Sequence, residues 1–211
     1  TSDVSFVPGN HDAYVRASMP LLAATFAPWT TDDPHPVAAS YPYLRVRREV
    51  AIIGLSSAVP TAPLMATGKL GKAQIEAFAE LLRTAGARGL ARIVLIHHPP
   101  LAGVTPPLRG LSDAPAFERV VRDFGAEAIL HGHIHRKAVR SLRSRATRTI
   151  GGAVPVLSAP SAAAAAHDPR YRAAYHLVRL DREGEFWRVG ARARGLAPES
   201  AAIDERESLN V

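Results

Sequence analysis

The chain has 211 residues, 47% of them apolar, and a mean hydropathy of −0.01, enough for one globular domain with a sizeable core. No run approaches the roughly 18 uninterrupted apolar residues of a membrane span, and with no cysteine, disulfides and zinc–thiolate sites are excluded. The +7 charge and pI near 10.3 would suit a polyanion, but nearly all of it is Arg, with Lys only at 69, 72 and 137, in an Ala-rich chain; neither nucleic acid nor a membrane is expected as a partner.

Val4 to Val7 reads as a buried strand ended by Pro8-Gly9. Val15, Met19, Leu22 and Phe26, at three- and four-residue spacings, predict a helix after it. Ala27 to Pro42 carries four prolines and reads as loop. Tyr43 to Val46 and Val50 to Ser56 read as two strands, close enough to form a hairpin, and Ser57 to Gly68 as a second loop. A helix is predicted from near Gly71, with Ile75, Phe78 and Leu82 on one face and Gly86 as its stop. Arg92 to Ile96 is a strand leading into His97. Ser112 or Asp113 is placed to cap the next helix, whose Phe117, Val120, Val121 and Phe124 form an apolar stripe ended by Gly125. Glu127 to Leu130 is a strand leading to Gly132-His133. Beyond it come strands without helices: Ala138 to Leu142, Val154 to Ser158, Tyr175 to Leu180 and Phe186 to Ala191, the last two joined by a turn at Asp181-Arg182-Glu183-Gly184. Arg140, Arg143, Arg145 and Arg148 read as the solvated side of a hairpin. The alanine run 162 to 166 reads as a connection. The expected fold is α/β, with two packed mixed sheets and helices on the outside, over a single domain at 1–198; 199–211 reads as a polar tail.

Three histidine-bearing words follow strands: Gly9-Asn10-His11-Asp12, His97-His98-Pro99-Pro100 and Gly132-His133-Ile134-His135. Open α/β sheets hold ligands at the carboxyl ends of such strands. In an extended segment His133 and His135 would point the same way, each available to one of two adjacent metal ions. One histidine of His97-His98 is expected as a ligand and the other to line the substrate side. The Asn10 amide oxygen is a neutral, hard donor, His11 can protonate a leaving oxygen, and Asp12 can orient His11. Asp12 can equally cap a following helix.

These words, in this order, resemble the calcineurin-like metallophosphoesterases, and within them the bacterial branch containing class III cyclic-nucleotide phosphodiesterases; the likeness runs from about Val4 to about Ser161. The resemblance implies an αββα sandwich, here incomplete at its amino end, and a two-metal phosphoester hydrolase. It implies Asn10, His97 and His133 on one metal, His135 on the other, and His11 as acid or transition-state stabiliser. His97 rather than His98 is taken because the family's ligand directly follows the strand. Two divalent ions (Mn, Fe or Zn) would lower the pKa of a bridging water that attacks phosphorus in a small phosphodiester or monoester. Cyclic nucleotides and glycerophosphodiesters are candidate substrates, with selectivity expected from the loops 27–42, 57–68 and 101–111.

The family also uses an Asp-x-His and a Gly-Asp motif, at about 30 residues per β/α unit, so roughly 60 residues are expected upstream of Thr1. Asp33-Pro34-His35 has the first spacing but sits in a Pro-rich loop and is not expected to substitute. Without the bridging carboxylate the remaining ligands would hold one metal weakly, giving a weakly active or inactive form. The second reading is a degenerate binding or scaffold module. Cytoplasmic placement is expected.

Overall fold

The structure, a computed structural model, describes residues 3–31, 41–164, 168, 171–197 and 203–209, with backbone alone at 204–207 and 209. Its centre is a six-stranded sheet built from β1 (Tyr43–Arg47), β2 (Val50–Gly54), β3 (Ala91–Leu95), β4 (Ala128–His131), β5 (Ala138–Arg143) and β6 (Ala153–Ser158), in the order β1-β2-β3-β4-β6-β5. β2, β3, β4 and β6 run parallel, and β1 and β5 are antiparallel edges. β3, β4 and β6 are covered on both faces, so they are nearly continuous apolar runs and not alternating ones.

Helices α3 (Lys72–Ala87) and α4 (Ala114–Phe124) cross between parallel strands and cover one face. Phe78 and Leu82 of α3 and Phe117, Val120 and Val121 of α4 meet Ile53, Val94, Ile129 and Val156 of the sheet. The Phe78 and Phe117 rings stack with centroids 5.3 Å apart. On the opposite face lies a three-stranded antiparallel sheet, β7 (Ala174–Glu183), β8 (Phe186–Leu196) and β9 (Ile203–Leu209). Val178, Ala191 and Ala193 pack there on Leu130, Val139 and Leu157. From β8 the contact is made by the small side chains of Ala191 and Ala193.

The α/β class, the packed sheets and the β1–β2 hairpin follow the sequence reading. Several details differ. The second sheet is antiparallel throughout. Residues 203–209, read as part of a tail, add a third strand to it. The β7–β8 turn is Gly184-Glu185, with Gly184 at φ 62°, so both strands run further than their apolar cores. Val4 to Val7 is not a strand. The Phe6 N–H donates to Trp29 O at 3.0 Å, the Phe6 carbonyl accepts from Tyr43 Oη at 3.0 Å, and the Val4 carbonyl accepts from the Arg45 guanidinium. The helix behind it is split into a short turn α1 (Asn10–Ala13), a 3₁₀ turn at Arg16–Ser18 and α2 (Met19–Phe26), which buries no residue fully. Asp33-Pro34-His35 and residues 165–166 of the run 162–166 lie outside the described residues.

At the amino ends of β3 and β4 a buried ion pair fixes the sheet. Glu127 Oε2 accepts from the Arg92 N–H (2.6 Å) and Nε (2.9 Å), while Oε1 accepts from Arg92 Nη2 (2.6 Å) and the Arg148 N–H (2.9 Å). Arg92 also donates to the Phe124 and Ala146 carbonyls. Gly86 lies inside α3 instead of stopping it, and a Cβ there would stand 2.7 Å from Arg92 Nη1.

Candidate metal centre

The carboxyl ends of β3 and β4 carry the histidine words. The Gly132 N–H donates to the His97 carbonyl at 3.1 Å, tying two of the words together just beyond the strands. The third arrives through α1. The Asp12 carboxylate accepts from the Gly9 N–H at 2.8 Å and closes this turn. The Asp12 carboxylate thus serves the capping role and is not bonded to His11. Gly9 packs against the imidazole of His97, since a Cβ would stand 2.7 to 2.9 Å from three ring atoms.

Asn10, His97 and His133 converge. Asn10 Oδ1 lies 3.0 Å from His97 Nε2 and 3.1 Å from His133 Nδ1, and the two nitrogens are 3.2 Å apart. Donor atoms about 2.1 Å from one ion and roughly at right angles stand about 3.0 Å apart, so these separations fit three neighbouring ligands of a single cation. One proton, such as that on Nε2 of a neutral His97, can serve two of the three contacts but not the third, so at least one pair of lone pairs faces without a hydrogen between them. Burial pushes the His97 pKa down to about 4, helped by the neighbouring histidines, and lowers that of His133, so both rings are neutral near pH 7 and available as ligands.

The orientation of each donor is fixed from behind. Asn10 Nδ2 donates to the Tyr14 hydroxyl, which turns Oδ1 toward the histidines. The Arg109 backbone lies near His133 and favours its charged form, while Nδ1 faces Asn10 and His97. Tyr14 lies one helical turn after Asn10, an i, i+4 spacing present in the sequence but not picked out from it. Among the described residues no three His, Cys, Asp or Glu side chains form a metal-holding group. The convergence here is two imidazoles and an amide.

His135 and His11 are exposed and line the same cleft as Asn10 and His133. The expected extended backbone is absent: His133 and His135 have φ 67° and 51°. Non-glycine residues in this left-handed region cost of order 1 kcal/mol or more each and gather at functional sites. His98 does not line the substrate side. It is fully buried, its Nδ1 2.7 Å from Ser57 Oγ and its ring against Gly68, where a Cβ would stand 2.4 Å away. Desolvation lowers its pKa to about 3, and that of His131 to about 4.

The cleft has a volume of about 1040 Å³. Its walls come from loops 57–68 and 101–111, which are laced together by Ala66 N–H to Leu108 O, Gly68 N–H to Gly110 O and Ser112 N–H to Gly68 O, at 2.9 to 3.0 Å. Asp113, expected as a cap of its own helix, instead accepts from the Leu70 and Gly71 N–H groups before α3. The loop of residues 27–42 is described only in part.

Imidazoles and an amide gathered beyond adjacent parallel strands make a frame suited to metal-assisted hydrolysis. A sequence profile described as calcineurin-like phosphoesterase (Metallophos) matches residues 2–137. The chain belongs to this family of metal-dependent phosphoesterases. No curated protein matches it. No helix among the described residues is long and apolar enough to cross a membrane.

Proposed function

We propose that Asn10, His97 and His133 hold one divalent cation and that the chain acts on a small phosphodiester or monoester in the adjoining cleft. The observation that carries this reading is the mutual approach of three lone-pair atoms to 3.0–3.2 Å, contributed by three distant parts of the chain. The nitrogen and oxygen donor set suits Mn, Fe or Zn. When bound, such a cation supplies Lewis-acid stabilisation of the charge that builds on phosphoryl oxygens.

The protein's own groups supply the rest. Burial keeps His97 neutral, Tyr14 holds the Asn10 amide in its ligating orientation, and His11, exposed on the cleft wall, donates a proton to the leaving oxygen. His135 is the donor for a second cation, as in a binuclear centre. No described carboxylate lies with it, so turnover by this chain is expected to be slow. The three words also support the narrower likeness to class III cyclic-nucleotide phosphodiesterases, which makes cyclic nucleotides and glycerophosphodiesters the substrates to try first.

Mn titration followed by calorimetry, with bis(p-nitrophenyl) phosphate hydrolysis measured in parallel, tests the reading. The expected result is one Mn per chain, lost in His133→Ala, with slow hydrolysis lost in the same variant. Absence of Mn binding would overturn it, and Mn binding with no turnover on any phosphoester would favour a binding module.

A further inference from the structure

A cleft of about 1040 Å³ lies at the upper end of the range for small-molecule sites, far more than one phosphoryl group fills. Among the described residues its lining includes two guanidiniums, Arg109 and Arg136, and no aspartate or glutamate. Four arginines elsewhere on the surface are paired, Arg83 with Glu80, Arg122 with Glu118, Arg179 with Asp181 and Arg188 with Glu183. Among the described residues, neither Arg109 nor Arg136 has a carboxylate partner. The same cleft is lined by the apolar Pro63, Leu64, Met65 and Pro106, and Leu64 is fully exposed. Unpaired guanidiniums beside an apolar wall form a receptor for an anion on an organic body, since the planar fork binds phosphate in a bidentate manner.

We propose that the ligand of this cleft is a phosphoester with a second, terminal phosphate, which Arg109 and Arg136 hold while Pro63, Leu64, Met65 and Pro106 cover the organic body between the two phosphates. Two guanidiniums match the charge of a terminal phosphate, whereas a carboxylate would leave one unused. The proposal rests on the reading that the reacting phosphate sits beside Asn10, His97 and His133. It goes beyond that reading by fixing what the rest of the molecule carries. Arg109 is well placed for this role, because its backbone meets His133 and its loop is laced to the one that carries Leu64 and Met65.

Calorimetric binding of thymidine 5′-phosphate and thymidine 3′,5′-bisphosphate to the chain, with and without saturating Mn, tests it. The bisphosphate is expected to bind at least about tenfold more tightly. Arg109→Ala and Arg136→Ala are each expected to lower that ratio several-fold while leaving the monophosphate within about twofold, with partial recovery in Arg109→Lys and no change in Arg179→Ala. Equal binding of the two ligands would overturn the proposal. So would an Arg109→Ala variant that weakens both ligands equally, because the guanidinium would then serve the reacting phosphate. The two readings fail separately. Hydrolysis of bis(p-nitrophenyl) phosphate without a bisphosphate preference sinks this proposal alone, whereas a preference that persists with no Mn binding and no hydrolysis sinks the hydrolase alone.

Discussion

The two ends of β3 and β4 treat buried polar groups in opposite ways. At the amino ends Arg92 and Glu127 form a pair in which both carboxylate oxygens accept two hydrogen bonds and the guanidinium donates onward to two carbonyls. At the carboxyl ends, about 17 Å away along five residues of strand, Asn10, His97 and His133 bring three polar atoms together that one proton cannot fully satisfy. The first cluster is complete within the protein; the second is the one proposed to take a cation. A satisfied buried network fixes a structure, and an unsatisfied one marks a place where a ligand belongs.

The largest expected effect tests the first end. Glu127→Ala leaves the Arg92 charge buried and uncompensated, and is expected to cost about 3–5 kcal/mol in urea unfolding, with Mn affinity unchanged in the fraction that folds. Loss of metal binding in that folded fraction would show that the ends are coupled. Next, His97→Ala is expected to weaken Mn binding by about 100-fold or more while leaving unfolding stability equal or slightly higher, since a crowded contact is relieved. A large loss of stability would make the cluster structural after all.

The pH dependence sharpens the contrast further. Burial pushes the pKa values of His97, His98 and His131 down to about 4, 3 and 4 from an ordinary value of 6.5. Between those limits the unfolded chain binds protons that the folded chain refuses. Stability is therefore full above pH 6.5 and falls as the pH drops toward 4. The expected loss between pH 7 and 5.5 is about 1 kcal/mol for each ring that stays neutral, read as a lower urea midpoint. A midpoint that rises on acidification would contradict the burial of these rings. The smallest effect is Tyr14→Phe, expected to reduce Mn affinity by about tenfold through loss of the amide's anchor. An unchanged affinity would remove Tyr14 from the site.

The sequence made the frame legible where one signal dominated. The Phe117, Val120, Val121, Phe124 stripe and the apolar runs before His97 and Gly132 become α4, β3 and β4 as read. It misled where a segment's polar groups find side-chain partners in place of a strand: Val4 to Val7 has strand composition, but Arg45 and Tyr43 take its carbonyls. β9 was hidden because its polar residues bear no apolar alternation, although it pairs with the strand directly before it. At the site, strand-end histidines could be placed from the words alone, and Asn10, His97 and His133 do meet. What could not be read was which way each ring turns. His98 faces Ser57 and Gly68, 30 to 41 residues earlier in the chain, and the left-handed backbone at His133 and His135 has no local sequence signal beyond the preceding glycine. Arg109 and Arg136 gain meaning only once the loops fold around a common space.

The lacing between residues 66–68 and 108–112 bears on how selectivity in this chain could be altered or transplanted. Because main-chain hydrogen bonds join the two walls, neither can be lengthened or exchanged without leaving amides and carbonyls of the other unpaired. A graft of one loop should therefore unsettle the mouth of the cleft, whereas moving both together preserves their shared backbone pairing. The unit of evolutionary or engineered change here is the pair.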